Sequence, residues 1–178
     1  PNELKVNYSY LRKKYQLKPI NNSLWKFMRM RPSNFPTIRI AQFAKMLHLN
    51  GSIFKQIVDA KNLKELKKIF DVCATNYWNS HFRFDVPSSS NEPRNLGDSS
   101  VNILLINTII PLLFLHGRKR ADELIGEQVL EHLLEIQAEQ NKVVRVWKTL
   151  GIIPSSAMQT QALLQLKSNY CDLKKCLN

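Results

Sequence analysis

The sequence predicts an all-α fold, an irregular bundle of about six to eight helices. Three observations lead there. Apolar residues recur at three- and four-residue spacing along most of the chain, helix-stop signals stand at Asn50-Gly51 and Gly151, and hardly any stretch alternates as a strand would. With 178 residues, 44% of them hydrophobic and 22% charged, the chain can build one core, and it is read as a single domain over residues 1–178.

Taken in order, Glu3 to about Lys18 places Leu4, Tyr8, Leu11 and Tyr15 on one face and Arg12, Lys13 and Lys14 on the other, an amphipathic helix stopped by Pro19. Leu24, Trp25, Phe27 and Met28 form a short apolar element ending near Arg31, because Pro32 holds the residue before it extended. Asn34 is expected to cap the next helix, with Pro36 in its first turn and Ile38, Ala41, Phe43, Ala44, Met46 and Leu47 as its apolar set. Ser52 and Asn62 are candidate caps for two shorter helices, the second carrying Leu63, Leu66, Ile69, Phe70 and Cys73 into the core. Asn76–Asp85 is aromatic-rich and is left open between a short strand and an irregular segment. Residues 86–97, VPSSSNEPRNLG, read as a mobile loop.

Val101–Leu115 carries no charge and is expected to be the most buried element, a core helix rather than a membrane span. It is shorter than the roughly 20 residues a bilayer core requires, and Asn102, Asn107 and Thr108 would need partners in lipid. His116-Gly117 is then a turn. A helix follows from about Ala121 to Ala138, another over Asn141–Leu150, and a last one from Ser155 or Ser156 to Tyr170.

Charge is the most informative feature for function. No carboxylate side chain lies between Glu3 and Asp59, whereas Lys5, Arg12, Lys13, Lys14, Lys18, Lys26, Arg29, Arg31, Arg39, Lys45 and Lys55 do. Residues 1–85 hold 16 Lys and Arg against 5 Asp and Glu, a net of +11, and residues 86–178 hold 10 against 9, a net of +1. Such a field calls for an anionic partner. Lys26, Arg29, Arg31 and Arg39 are interleaved with Trp25, Phe27, Phe35 and Phe43, and Arg39 falls in the first turn of a helix, so a phosphate site is physically coherent. The alternative is that these aromatics are core and the arginines brace the turn. Glu123, Glu127, Glu131, Glu135 and Glu139 recur every four residues, an acidic ridge that either meets the basic half or faces solvent.

RMRPSNFPTIRIAQFAKML, NILLINTIIPLLFLHG and QTQALLQLKSNYCDLKKCL together resemble the bacterial family known as domain of unknown function 2851, found largely in Bacteroidetes. The resemblance implies that the chain corresponds to the C-terminal half of a longer protein, whose N-terminal region could hold a catalytic centre or dock on this half. It also implies a further cysteine beyond the two in YCDLKKC. Cys171 and Cys176, four residues apart, supply only half of a zinc shell, so they are weak metal candidates.

Catalysis is not visible. His48, His81, His116 and His132 assemble into no triad and no HExxH, and no glycine-rich phosphate loop is present. Cys73, Cys171 and Cys176 are an odd set in a chain that starts at Pro1 without a signal peptide, which suggests a reducing cytoplasm. The expected function is therefore a non-enzymatic helical accessory domain, needing no cofactor, that binds nucleic acid through its phosphates by Arg12, Lys13, Lys14, Lys26, Arg29, Arg31 and Arg39. A domain that docks on an acidic protein surface, its own N-terminal region included, is the alternative, and part of an enzyme site completed by that region is a third.

Overall fold

The computed structural model describes residues 2–175. They form nine α-helical segments: α1 (Asn2–Lys14), α2 (Pro36–Asn50), α3 (Ile53–Asp59), α4 (Leu63–Ile69), α5 (Asp98–Leu104), α6 (Ile110–Arg120), α7 (Glu123–Glu135), α8 (Lys142–Thr149) and α9 (Ala157–Leu166). A π-helical turn over Leu105–Ile109 joins α5 to α6, so the two are one continuous helix of 23 residues, Asp98–Arg120. The fold is thus all-α, with eight helices and a single small hairpin, β1 (His81–Arg83) and β2 (Val86–Pro87), paired antiparallel among the described residues.

Caps explain most boundaries. Asn62, Asn141 and Ser156 each accept from the backbone N–H three residues on, which starts α4, α8 and α9. Glu65 in turn accepts from the Lys61 N–H, one residue before the cap, which ties the entering chain to the first turn of α4. Asp122 caps α7 in the same way. Gly51 and Gly151, at φ 51° and 85°, take up the left-handed turns that end α2 and α8.

Two cores result. The larger gathers Leu66 of α4 and Phe70 just past its end, Leu105, Ile109 and Leu113 of the long helix, and Val129 of α7. The smaller sets Phe35 and Ile38 against Ala74 and Trp78, with Phe27 and Phe82 at its margin. Phe35 receives Phe27 edge-on at 5.1 Å, and the Arg83 guanidinium lies 4.6 Å from the Phe27 ring.

Several expectations are corrected here. His116-Gly117 is no turn: α6 continues to Arg120 and stops at Ala121, which is left-handed. Gly117 is buried because Ile125 of α7 presses on it, leaving 3.0 Å between a Cβ at that position and the Ile125 side chain. Asn34 does not cap α2; its amide oxygen is taken by Arg39 instead. Cys73 lies beyond the end of α4 and is half-buried, bridging to Asn95 rather than filling the core. Val101–Leu115 is not uniformly buried: Val101, Leu105, Ile109 and Leu113 face inward, while Ile103, Leu112, Phe114 and Leu115 are exposed. By length and composition this helix could cross a membrane, and its inward face is also the middle of the larger core.

Asn76–Asp85 resolves into a 3₁₀ turn (Asn76–Asn79) and β1. The segment 86–97 that follows is tied down. Its Arg94 donates to the Trp78 and Asn79 carbonyls and to the Ser90 hydroxyl, and its backbone bonds to Val72, Ala74 and Ser80.

Candidate functional site

The basic residues fall into three settings. Arg12, Lys13 and Lys14 make up the last turn of α1, a helix that buries none of its described side chains; every residue from Lys5 to Ile20 is exposed. The Lys14 ammonium hangs over the rings of Tyr10 and Tyr15, at 5.8 and 5.3 Å. The apolar stripe of Tyr8, Leu11 and, just past the end of the helix, Tyr15 is exposed as well, at 50%, 42% and 59%.

Lys26, Arg29 and Arg31 belong to the irregular stretch between two 3₁₀ turns, Asn22–Leu24 and Pro32–Asn34, and all three are exposed. Arg29 holds a left-handed φ of 59°, a conformation costly for a residue other than glycine or asparagine. Arg31 is extended, at φ −64° and ψ 138°, as the following proline requires.

Arg39 stands apart. It projects from the first turn of α2, where its guanidinium donates to the Asn34 amide oxygen at 2.6 Å, to Ser100 Oγ at 2.9 Å and to Gln42 Oε1 at 3.0 Å. Gln42, buried on the inward face of α2, passes the chain on by donating to the Arg94 carbonyl. Arg39 therefore joins the Pro32–Asn34 turn, α2, α5 and, through Gln42, the 86–97 segment. Burial pushes its guanidinium below the usual arginine range, and all three of these acceptors are neutral. Beside it opens a cleft of about 470 Å³ between α2 and the long helix.

No salt bridge among the described residues involves any cation between Lys5 and Lys55; the two that occur join Lys67 to Asp98 and Lys167 to Asp172. The acidic ridge does not change this. Glu123, Glu127, Glu131 and Glu135 are exposed on α7, and Glu139, past its end, accepts from Gln161 of α9. The cations of α1 and of the Lys26–Arg31 stretch are thus left exposed, without a carboxylate partner among the described residues.

A family model described as "Protein of unknown function (DUF2851)" matches residues 1–142 of the 178. The chain belongs to this family. The first two motifs on which the resemblance rested lie within the matched range, and the third, QTQALLQLKSNYCDLKKCL, lies after it. Searches of curated proteins and of solved structures gave no match.

Of the two cysteine candidates, Cys171 is exposed in a π-helical turn (Lys167–Cys171) and Cys176 lies outside the described residues. No group of three or more His, Cys, Asp or Glu among the described residues is arranged to hold a metal ion. Sequence reading missed Gln42, Ser100 and Arg94, the residues that fix Arg39 and the 86–97 segment. A signal existed for Gln42, since it shares the i, i+4 face of Ile38 and Met46; a lone arginine in a serine-rich loop gave none for Arg94.

Proposed function

We propose that this domain is a non-enzymatic accessory domain that binds nucleic acid through the phosphate backbone, using the exposed cations of α1 and of the Lys26–Arg31 stretch. The observation that carries this reading is the absence of any carboxylate partner, among the described residues, for the cations from Lys5 to Lys55, most of them exposed. Solvated cations beside Tyr8, Tyr10 and Tyr15 suit a polyanion with stackable bases, because counterion release supplies affinity and aromatic faces supply sequence-tolerant contacts. Arg12, Lys13, Lys14, Lys26, Arg29 and Arg31 are the residues assigned to it. Arg39 is withdrawn from that set, since it is half-buried, unlike those exposed cations, and three of its five N–H donors are taken up within the fold.

The test is a salt titration of binding to a fluorescent single-stranded oligonucleotide and to a duplex. Affinity should fall linearly with the logarithm of salt concentration. Replacing Arg12, Lys13 and Lys14 together by serine should lower that slope by about 2 to 3, at ~0.9 per lost phosphate contact, or somewhat less on single strands. Since α1 buries none of its described side chains, the substitution should leave stability within about 0.5 kcal/mol, so a binding loss cannot be assigned to unfolding. No binding at low ionic strength would defeat the reading.

A second reading has its own observation. The exposed Tyr8, Leu11 and Tyr15 stripe would also suit an acidic protein partner, which would bury it along with the cations. Such a complex would retain much of its affinity at high salt, where a phosphate-bound one would not.

A further inference from the structure

We propose that the cleft beside Arg39 is a binding site for a monocarboxylate with an apolar tail, the carboxylate held by the Arg39 guanidinium and the tail lying between α2 and the long helix. This site is separate from the nucleic-acid surface and does not depend on it.

Arg39 keeps a full positive charge in a half-buried position, since an arginine is not deprotonated in a protein, yet it has only neutral oxygens for company. Among the described residues no carboxylate comes within salt-bridge distance of it. A carboxylate would supply the charge-assisted bond that Asn34, Gln42 and Ser100 cannot, and the Ser100 hydroxyl, facing the same point, is free to turn and donate to it. Burial already disfavours the unpaired cation, which adds to the gain.

The walls select what is attached. Beyond the guanidinium the cleft is lined by Met46, Val72, Leu96, Ile103 and Leu104, and at about 470 Å³ it lies within the usual range of small-molecule sites. Among the described residues Arg39 is the one charged side chain lining it, so a dianionic phosphate would bring an unmatched charge, whereas one carboxylate balances it. The π-helical turn adds Thr108 and Asn107 to the lining, and turns of this kind recur at functional sites. Only an amphipathic monoanion satisfies both the cation and the apolar walls.

Titration calorimetry of the whole chain with decanoate, held below its micellar range, tests the proposal, with 1-decanol as the uncharged control. Saturable binding of one decanoate, at least tenfold tighter than decanol, is expected. Arg39→Met should weaken decanoate at least tenfold and decanol little. Because Arg39 also braces the fold, Ile103→Trp provides a second variant: position 103 is 57% exposed, so the fold should tolerate an indole there, and the indole should fill the cleft and abolish binding. Simultaneous replacement of Arg12, Lys13 and Lys14 should leave decanoate affinity unchanged while lowering nucleic-acid affinity. No saturable binding, equal affinity for decanol, unchanged binding by the Ile103→Trp variant, or loss of decanoate on replacing the α1 cations would each overturn the site. The last two would show attachment elsewhere on the surface.

Discussion

His132 sits on the inward face of α7, 2% exposed, and its Nδ1 finds no hydrogen-bond partner among the described residues. Burial pushes the imidazole pKa below the ordinary histidine range, against a weaker upward pull from Glu135 and Glu131. The unfolded chain then binds a proton at a pH where the folded one does not. Stability should accordingly be complete above the unfolded-state value near ~6.5 and should fall as pH drops through it, levelling off below the folded-state value. Urea unfolding at a series of pH values should show this slope, and His132→Asn should flatten it; an unchanged slope in the variant would assign it to other groups. None of this was legible in a sequence where His132 was one histidine among four. At the same scale the constraint on Arg31 was legible, because Pro32 dictates it locally, and the fate of Arg39 was not. Its partner Ser100 stands 61 residues away, and no local pattern announces such a contact.

Among the elements, α6 and α7 pack against one another, and Gly117 is what lets them approach. A Cβ there would stand 3.0 Å from Ile125 and 3.2 Å from the Asp122 carbonyl, whereas one at Gly126 would meet nothing within 4 Å. Both glycines lie inside helices, where alanine is intrinsically favoured by about 1 kcal/mol. The two substitutions should therefore part company. Gly126→Ala should stabilise by about 0.5–1 kcal/mol, while in Gly117→Ala overpacking of about 1–3 kcal/mol should exceed the propensity gain and give a net loss. Thermal melts of the two variants decide it, and a stabilised Gly117→Ala would mean that Ile125 moves aside freely. Element existence was well marked in the sequence, since caps such as Asn62, Asn141 and Ser156 and the stop at Gly51 act within a turn of themselves. Gly117 misled for the same reason: a glycine that ends a helix and one that admits a neighbouring helix look alike until the neighbour is placed.

Across the whole molecule the dominant quantity is uncompensated charge. A net of +12 with two ion pairs among the described residues leaves mutual repulsion, chiefly in the first half, for solvent to screen. Raising sodium chloride from about 0.05 to 0.5 M shortens the screening length to well under 10 Å. The melting temperature should rise by about 2–4 °C, corresponding to ~1 kcal/mol. A fall instead would mean that attractive pairs dominate the fold, and the case for an outward-facing cationic surface would weaken with it. Charge asymmetry was fully readable beforehand, since it needs only counting. Its distribution over α1, the Lys26–Arg31 stretch and Arg39 was not, because the burial of one cation and the exposure of the others depend on which helices pack.

The π-helical turn at Leu105–Ile109 has a bearing on phase. Inward residues of the long helix recur every four positions, at Val101, Leu105, Ile109, Leu113 and Gly117. An unbroken α-helix advances about 100° per residue, so a repeat of four overshoots each full turn by about 40° and would carry these side chains progressively around the axis. A wider turn advances less per residue and winds part of that drift back. The helix thus behaves as two α-helical rods clutched together out of step, with Val101 and Gly117 brought towards the same side by slippage at the joint. Any insertion or deletion in the joint is then a rotation before it is a change of length, and its first effect is to turn Gly117 away from Ile125.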